Sequence, residues 1–98
     1  MTFDKREELI SLYDAYHMLL TDKQKAYFEE YYFDDLSFSE IAINHSISRN
    51  GVFDQIKRVA NILSDYEAKL GLVRKAKCIE ELAIDEEIKN KIIEIIKE

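Results

Sequence analysis

The chain has 98 residues, 47% of them apolar, with no proline, two glycines, one cysteine and a net charge of −6. That length suits one domain and is short for two, and the scarcity of helix breakers points to an almost continuous helical chain. Cys78 alone cannot make an intramolecular disulfide and fits a reducing compartment; the charged start MTFDKREELI has no apolar run long enough for a signal peptide, no stretch approaches a membrane span, and a cytoplasmic location is expected.

The first helix is expected from about Lys5 to Leu20. Leu9, Leu12, Tyr13, Tyr16, Leu19 and Leu20 recur at helical spacing and predict one buried stripe. Asp4, Glu7 and Glu8 lie where the helix dipole favours acids. His17 stands at the stripe edge and reads as a surface or core-edge residue.

Thr21 with Gln24 reads as a capping box opening a second helix, Asp22 to about Phe33. Tyr27, Phe28, Tyr31, Tyr32 and Phe33 crowd it. Aromatics interleaved with charge can stack on bases. Here the helical spacing of Phe28, Tyr31 and Tyr32, and the acidic neighbours Glu29, Glu30, Asp34 and Asp35, favour a core stripe instead.

The stretch from Leu36 to Arg58, LSFSEIAINHSISRNGVFDQIKR, predicts two short-linked helices. Ser37 and Glu40 form a second capping box, followed by Phe38, Ile41 and Ala42. Asn44, His45 and Ser46 break the helix, and Ser48 is the next N-cap. Ala42, Ile47 and Val52 then have the roles of a helix-turn-helix: a small residue at the crossing, an apolar plug at the corner and a β-branched seat for the second helix. A hairpin used only for packing also needs caps and apolar contacts; the whole set is what marks the motif.

The second helix of the motif is expected from Arg49 to Leu70, with Val52, Ile56, Val59, Ile62, Leu63, Tyr66 and Leu70 in period and Gly71 as C-cap. Gly51 in its first turn costs about 1 kcal/mol against alanine. A close backbone approach and simple tolerance at a helix start both account for it. A fifth helix is expected over Leu72 to Leu82, with Val73, Ala76, Ile79, Leu82 and Ala83 apolar and Arg74, Lys75 and Lys77 opposite. A last helix begins at Asp85. Ile84, Ile88, Ile92, Ile95 and Ile96 form its apolar stripe, which folds back on the domain or completes a homodimer; Ile88, Ile92, Ile95 and Ile96 are the candidate oligomer interface. The fold class is therefore all-α: a single helical domain over 1–98, a central helix-turn-helix at 37–58, a long recognition helix and a C-terminal helical extension at 72–98.

Charge is uneven. Residues 1–47 carry four basic and ten acidic residues, 48–77 seven basic and three acidic, and 78–98 three basic and seven acidic. The basic block starts at the recognition helix and suggests a basic face on an acidic body, although chance clustering of solvated charge gives the same counts.

No catalytic constellation is visible. His17, His45 and Cys78 have no metal-ligand spacing, and no glycine-rich phosphate loop exists. The pairs Glu29-Glu30 and Asp34-Asp35 are sequence neighbours and point in different directions. Ser48 lies near His45, but capping explains the serine. A non-enzyme without a cofactor is expected. For nucleic acid, the first turns of a recognition helix reach base edges. Arg49 suits guanine and Asn50 adenine, with Phe53 and Asp54 exposed beside them. Lys57 and Arg58 suit phosphates, and Ser37, Ser39 and Ser48 add neutral phosphate contacts. Asp54 is unfavourable there unless it reads a cytosine amine or pairs with Arg58.

The segments LTDKQKAYFEEYYFDDLSFSEIA, ISRNGVFDQIKR and LSDYEAKLG resemble the YlxM-like family, small helix-turn-helix proteins encoded beside signal recognition particle genes. The likeness is close from about Leu20 to Gly71 and general elsewhere. The same part resembles sigma-factor region four, with departures. His45-Ser46 stands where sigma factors often carry leucine and glycine, and the apolar position after Val52 falls at Ile56, where sigma factors have it one residue earlier, at the place of Gln55. Sigma activity is not implied. The resemblance implies participation in, or regulation of, the signal recognition particle pathway, with Arg49, Asn50, Phe53, Asp54, Lys57 and Arg58 as DNA contacts by motif. Three readings stay open: a DNA-binding regulator, an accessory that binds the particle's RNA or protein, and a dimeric structural module.

Overall fold

The computed structural model describes residues 2–82 and 84–97, and every regular element among them is helical. Helix α1 spans Thr2–Tyr16 and passes into a 3-10 turn, His17–Leu19. Helices α2 (Asp22–Tyr32), α3 (Phe38–His45), α4 (Arg49–Leu70), α5 (Leu72–Glu80) and α6 (Glu86–Lys97) follow.

Helix α1 ends earlier than its apolar spacing suggests. The α-helical period stops at Tyr16, so Leu19 leaves the stripe and stands half exposed, while Leu20 turns inward on extended backbone. At the next boundary the Thr21 hydroxyl accepts the Gln24 N–H and the Gln24 side chain accepts the Thr21 N–H, closing the expected box. Helix α2 stops one residue before Phe33, and Asp35 takes the left-handed conformation that leads the chain away.

Helix α4 runs through two cores. Leu9, Leu12, Tyr13, Ala15, Tyr16 and Leu20 pack with Phe28, Val59 and Leu63 in one. Tyr13 and Phe28 stack there with centroids 4.3 Å apart and rings nearly parallel. Tyr27, Ile41, Ala42, Val52 and Ile56 form the other, under the helix-turn-helix. The α2 aromatics are thus mainly interior, as their spacing predicts. Tyr27 and Phe28 are buried and Tyr31 and Tyr32 half buried, while Phe33, just past the helix end, is half exposed.

Gly71 ends α4 at φ 64 and starts α5 in the same step. A side chain there would be strained by the left-handed backbone and would press on the Arg74 guanidinium. Helix α5 stops at Glu80, so Leu82 is exposed rather than helical core; Ala83 lies outside the described residues.

Asp85 caps α6 by accepting the Glu87 and Ile88 N–H groups. This helix returns along the chain, with Lys89 donating to the Glu80 carbonyl and Lys97 pairing with Asp14 of α1. The isoleucine stripe is divided by this docking. Ile93, which the expected stripe omits, is the buried residue; Ile92 and Ile96 are half buried, and Ile88 and Ile95 are exposed.

Candidate nucleic-acid interface

The motif is built from its ends inward. The Ser37 hydroxyl accepts the Glu40 N–H at 3.1 Å, and the Glu40 carboxylate accepts the Ser37 N–H at 2.9 Å. Helix α3 stops at Ser46, whose φ of 54° and ψ of 44° place it in the left-handed region. The Ile47 N–H returns to the Ala42 carbonyl, and the Ser48 hydroxyl accepts the Gly51 N–H at 2.9 Å to open α4. A Cβ on Gly51 would sit 3.1 Å from that same hydroxyl and 3.6 Å from Ile47. The crowding at Gly51 is therefore with the cap and the corner plug.

The seating of α3 and α4 follows from burial. Ile41 and Val52 are fully buried and Ala42 and Ile56 nearly so. One tie was not legible in the sequence. Glu30 of α2 accepts from the Asn44 amide at 3.1 Å and pairs with the His45 ring at 2.7 Å. Burial pushes the Glu30 carboxyl up, but the hydrogen bonds from Asn44 and His45 and the charge of His45 outweigh it and hold the group below its ordinary value. The Tyr27 ring lies 4.5 Å from the His45 ring. Together these fix the C-terminal end of α3, where the motif turns. Asn44 and His45, expected to break the helix with Ser46, instead form its last turn and anchor it, and their partnership across fourteen and fifteen positions carries no local signal.

Arg49, Asn50, Phe53, Asp54, Lys57 and Arg58 are all exposed. At helical spacing they share the outer side of α4, while Val52, Ile56, Val59 and Leu63 turn inward. The outer side continues through Asn61, Ser64 and Asp65. Phe53 keeps half its surface open and meets Phe38 edge-on, with centroids 6.0 Å apart. Asp54 and Arg58 form no ion pair among the described residues.

Ser37, Ser39 and Ser48 are exposed at the starts of α3 and α4. The Ser37 and Ser48 hydroxyls already accept cap hydrogen bonds, yet each retains its own proton to donate. The basic block does not form one surface. Arg49, Lys57 and Arg58 belong to the outer face of α4, whereas Arg74 and Lys77 line a groove against α1 together with Glu7, Glu8 and Glu81. Among the described residues no group of three or more His, Cys, Asp or Glu side chains is placed to hold a metal ion. No described helix is long and apolar enough to cross a membrane.

Residues 3–98 match the family model described as "Putative helix-turn-helix protein, YlxM / p13 like". The chain belongs to the YlxM/p13-like family. Its relatives include the UPF0122 protein of Lactiplantibacillus plantarum, 51% identical over 72 residues, a match covering 74% of this chain and 63% of that protein. The Shouchella clausii UPF0122 protein ABC2295 is 47% identical over 72 residues, covering 74% of this chain and 66% of the other. The Bacillus pumilus UPF0122 protein is 46% identical over 82 residues, covering 84% and 74%. The chain spans under two thirds of the length of the first two of these relatives. The YlxM/p13-like description names a helix-turn-helix, consistent with the all-α architecture seen here.

Proposed function

We propose that this YlxM/p13-like protein is a cytoplasmic DNA-binding regulator that lays the first turns of α4 in the major groove. The observation that carries this reading is the one-sidedness of α4: Arg49, Asn50, Phe53, Asp54, Lys57 and Arg58 face solvent while Val52 and Ile56 are locked in the core. Arg49 and Asn50 read purine edges; Lys57 and Arg58 meet phosphates. Ser37, Ser39 and Ser48 donate to the backbone. The remaining acidic surface repels the duplex, so the chain presents this face and binds in a strongly salt-dependent way. A second copy, held through Ile88 and Ile95 on the outer face of α6, doubles the contacts. The link to the signal recognition particle pathway rests on the family resemblance.

The test is titration of labelled duplex DNA, and separately of the particle's RNA, at two salt concentrations. Duplex binding that weakens steeply with salt and is lost in the Arg49→Ala/Lys57→Ala variant supports the regulator. Unchanged duplex affinity in that variant rules out α4 as the reading element. Binding to the RNA alone favours the accessory reading in its RNA-binding form; binding to neither points to the particle's protein, the partner that the net acidity of the chain favours.

A further inference from the structure

Phe53 is half exposed on a face that is otherwise polar. One turn before it stands Arg49 and one turn after it Lys57, both exposed. Phe33 has Glu29 one turn before it and Ile43 has Glu40 three residues before it, whereas Phe53 has a cation one turn away on each side, with Asp54 as its next neighbour in the chain. The Phe53 ring is also braced. Phe38 meets it at an interplanar angle of 74°, so part of the ring rests on the motif's own packing while half of the side chain stays open. An apolar group held in place between two cations is suited to a surface that is anionic overall and has a small apolar feature.

The major groove of B-form DNA has such a feature. Its base edges present hydrogen-bonding groups and one methyl group, the C5-methyl of thymine. Resting on the DNA-binding reading above, we propose that Phe53 contacts a thymine methyl, so that the ligand is thymine-containing duplex DNA and not RNA. Cytosine and uracil lack the methyl group. The A-form major groove is moreover too deep and narrow for α4 to bring Phe53 to a base edge. Arg49 and Asn50, four and three residues earlier on the same face, then set the neighbouring purines, and Lys57 reaches the flanking backbone.

The experiment is selection from a pool of duplexes with a randomised core, using the full chain, beside a parallel randomised RNA pool. Single thymines of the enriched duplex are then replaced by deoxyuridine, which removes only the methyl. The expected result is one position at which the replacement weakens binding about fourfold, the worth of one buried methyl group. Phe53→Ala should bind the thymine and uracil forms alike, and Phe53→Leu, which keeps apolar bulk, should retain part of the preference; circular dichroism checks that both fold. If no thymine replacement matters while Arg49→Ala/Lys57→Ala still abolishes binding, the inference is overturned and the regulator reading stands. Enrichment from the RNA pool only, or from neither pool, overturns both.

Discussion

The Tyr16 hydroxyl of α1 donates to the Glu67 carboxylate near the end of α4 across 2.6 Å. Tyr16 is fully buried, and its oxygen also accepts the Leu72 N–H at 3.0 Å. Glu67 accepts the Val73 and Arg74 N–H groups as well, each at 3.1 Å. The start of α5 has no side-chain cap from Gly71. Its three orphan donors are instead satisfied by one tyrosine and one glutamate of earlier helices. This cluster sets the direction in which α5 leaves α4. Glu67→Ala should cost about 2 kcal/mol, since it strips a charged acceptor from several donors at once. Tyr16→Phe should cost about 1 kcal/mol by leaving the Leu72 N–H without its acceptor. Urea unfolding midpoints measure both, and near-wild-type stability in Glu67→Ala would remove the capping role.

Two carboxylates give the acid limb of the stability profile. At Glu67 burial pushes the carboxyl up, but hydrogen bonds from Tyr16, Val73 and Arg74 outweigh it; Glu30 is lowered likewise by Asn44 and His45. A lowered folded pKa means stability that is fully present above the ordinary value of 4.5 and lost as pH falls below it toward the folded values. Tyr13 has the opposite sense. Burial, the hydrogen bond to Glu29 and its charge raise the phenol above its ordinary 10.0, so the neutral form is favoured and stability is lost as pH rises past that value. Stability should therefore be flatter between these limits. Denaturant midpoints across pH test this, and Glu30→Gln/Glu67→Gln should flatten the acid limb.

Ser46 holds a left-handed conformation at the turn of the motif. Glycine adopts it without the Cβ clash, although it loses more freedom on folding. Ser46→Gly should raise stability by about 0.5–1 kcal/mol. A thermal scan showing no gain would mean that the serine relieves the strain in another way.

On the proposed DNA-binding reading, salt dependence separates the roles proposed along α4. Lys57→Ala and Arg58→Ala should each weaken binding to all duplexes and reduce the salt slope by about one. Arg49→Ala should instead relax sequence preference at one base pair, at a cost of about 1–3 kcal/mol for the preferred site. Equal loss on all sequences for Arg49→Ala would move that residue to the phosphates.

The outer face of α6 can be tested without disturbing its inner face. Ile88→Glu/Ile95→Glu should leave the monomer folded, because both side chains are already exposed. If α6 pairs two copies, sedimentation should change from dimer to monomer. Ile93→Ala, at the buried contact, should cost about 2–4 kcal/mol in unfolding experiments. A dimer that survives the double glutamate variant places self-association elsewhere.

Much of this fold is legible in the chain because its determinants are local. The boxes at Thr21–Gln24 and Ser37–Glu40, the Ser48 cap and the Gly71 stop each lie within one turn of what they control. The inward period of Val52, Ile56, Val59 and Leu63 fixes which side of α4 is left over, and with it the candidate reading residues. Periodicity fails where the helix itself fails. Leu19 and Leu82 keep the spacing of core residues but stand past the ends of α1 and α5.

What the sequence determined by itself was the order of helices and, for α2, α3 and α4, their caps and the faces they bury, since backbone donors, turn conformations and apolar spacing act over three or four residues. What only the tertiary structure decided was which distant groups meet. Glu30 against His45, Glu67 against Tyr16 and the docking of α6 through Ile93 each depend on the angle at which whole helices cross. The division of the basic block between the face of α4 and the α1–α5 groove has the same cause. Charge and apolarity along a chain give the supply of such groups, whereas their partners are set by rigid-body packing, which no short window of residues contains.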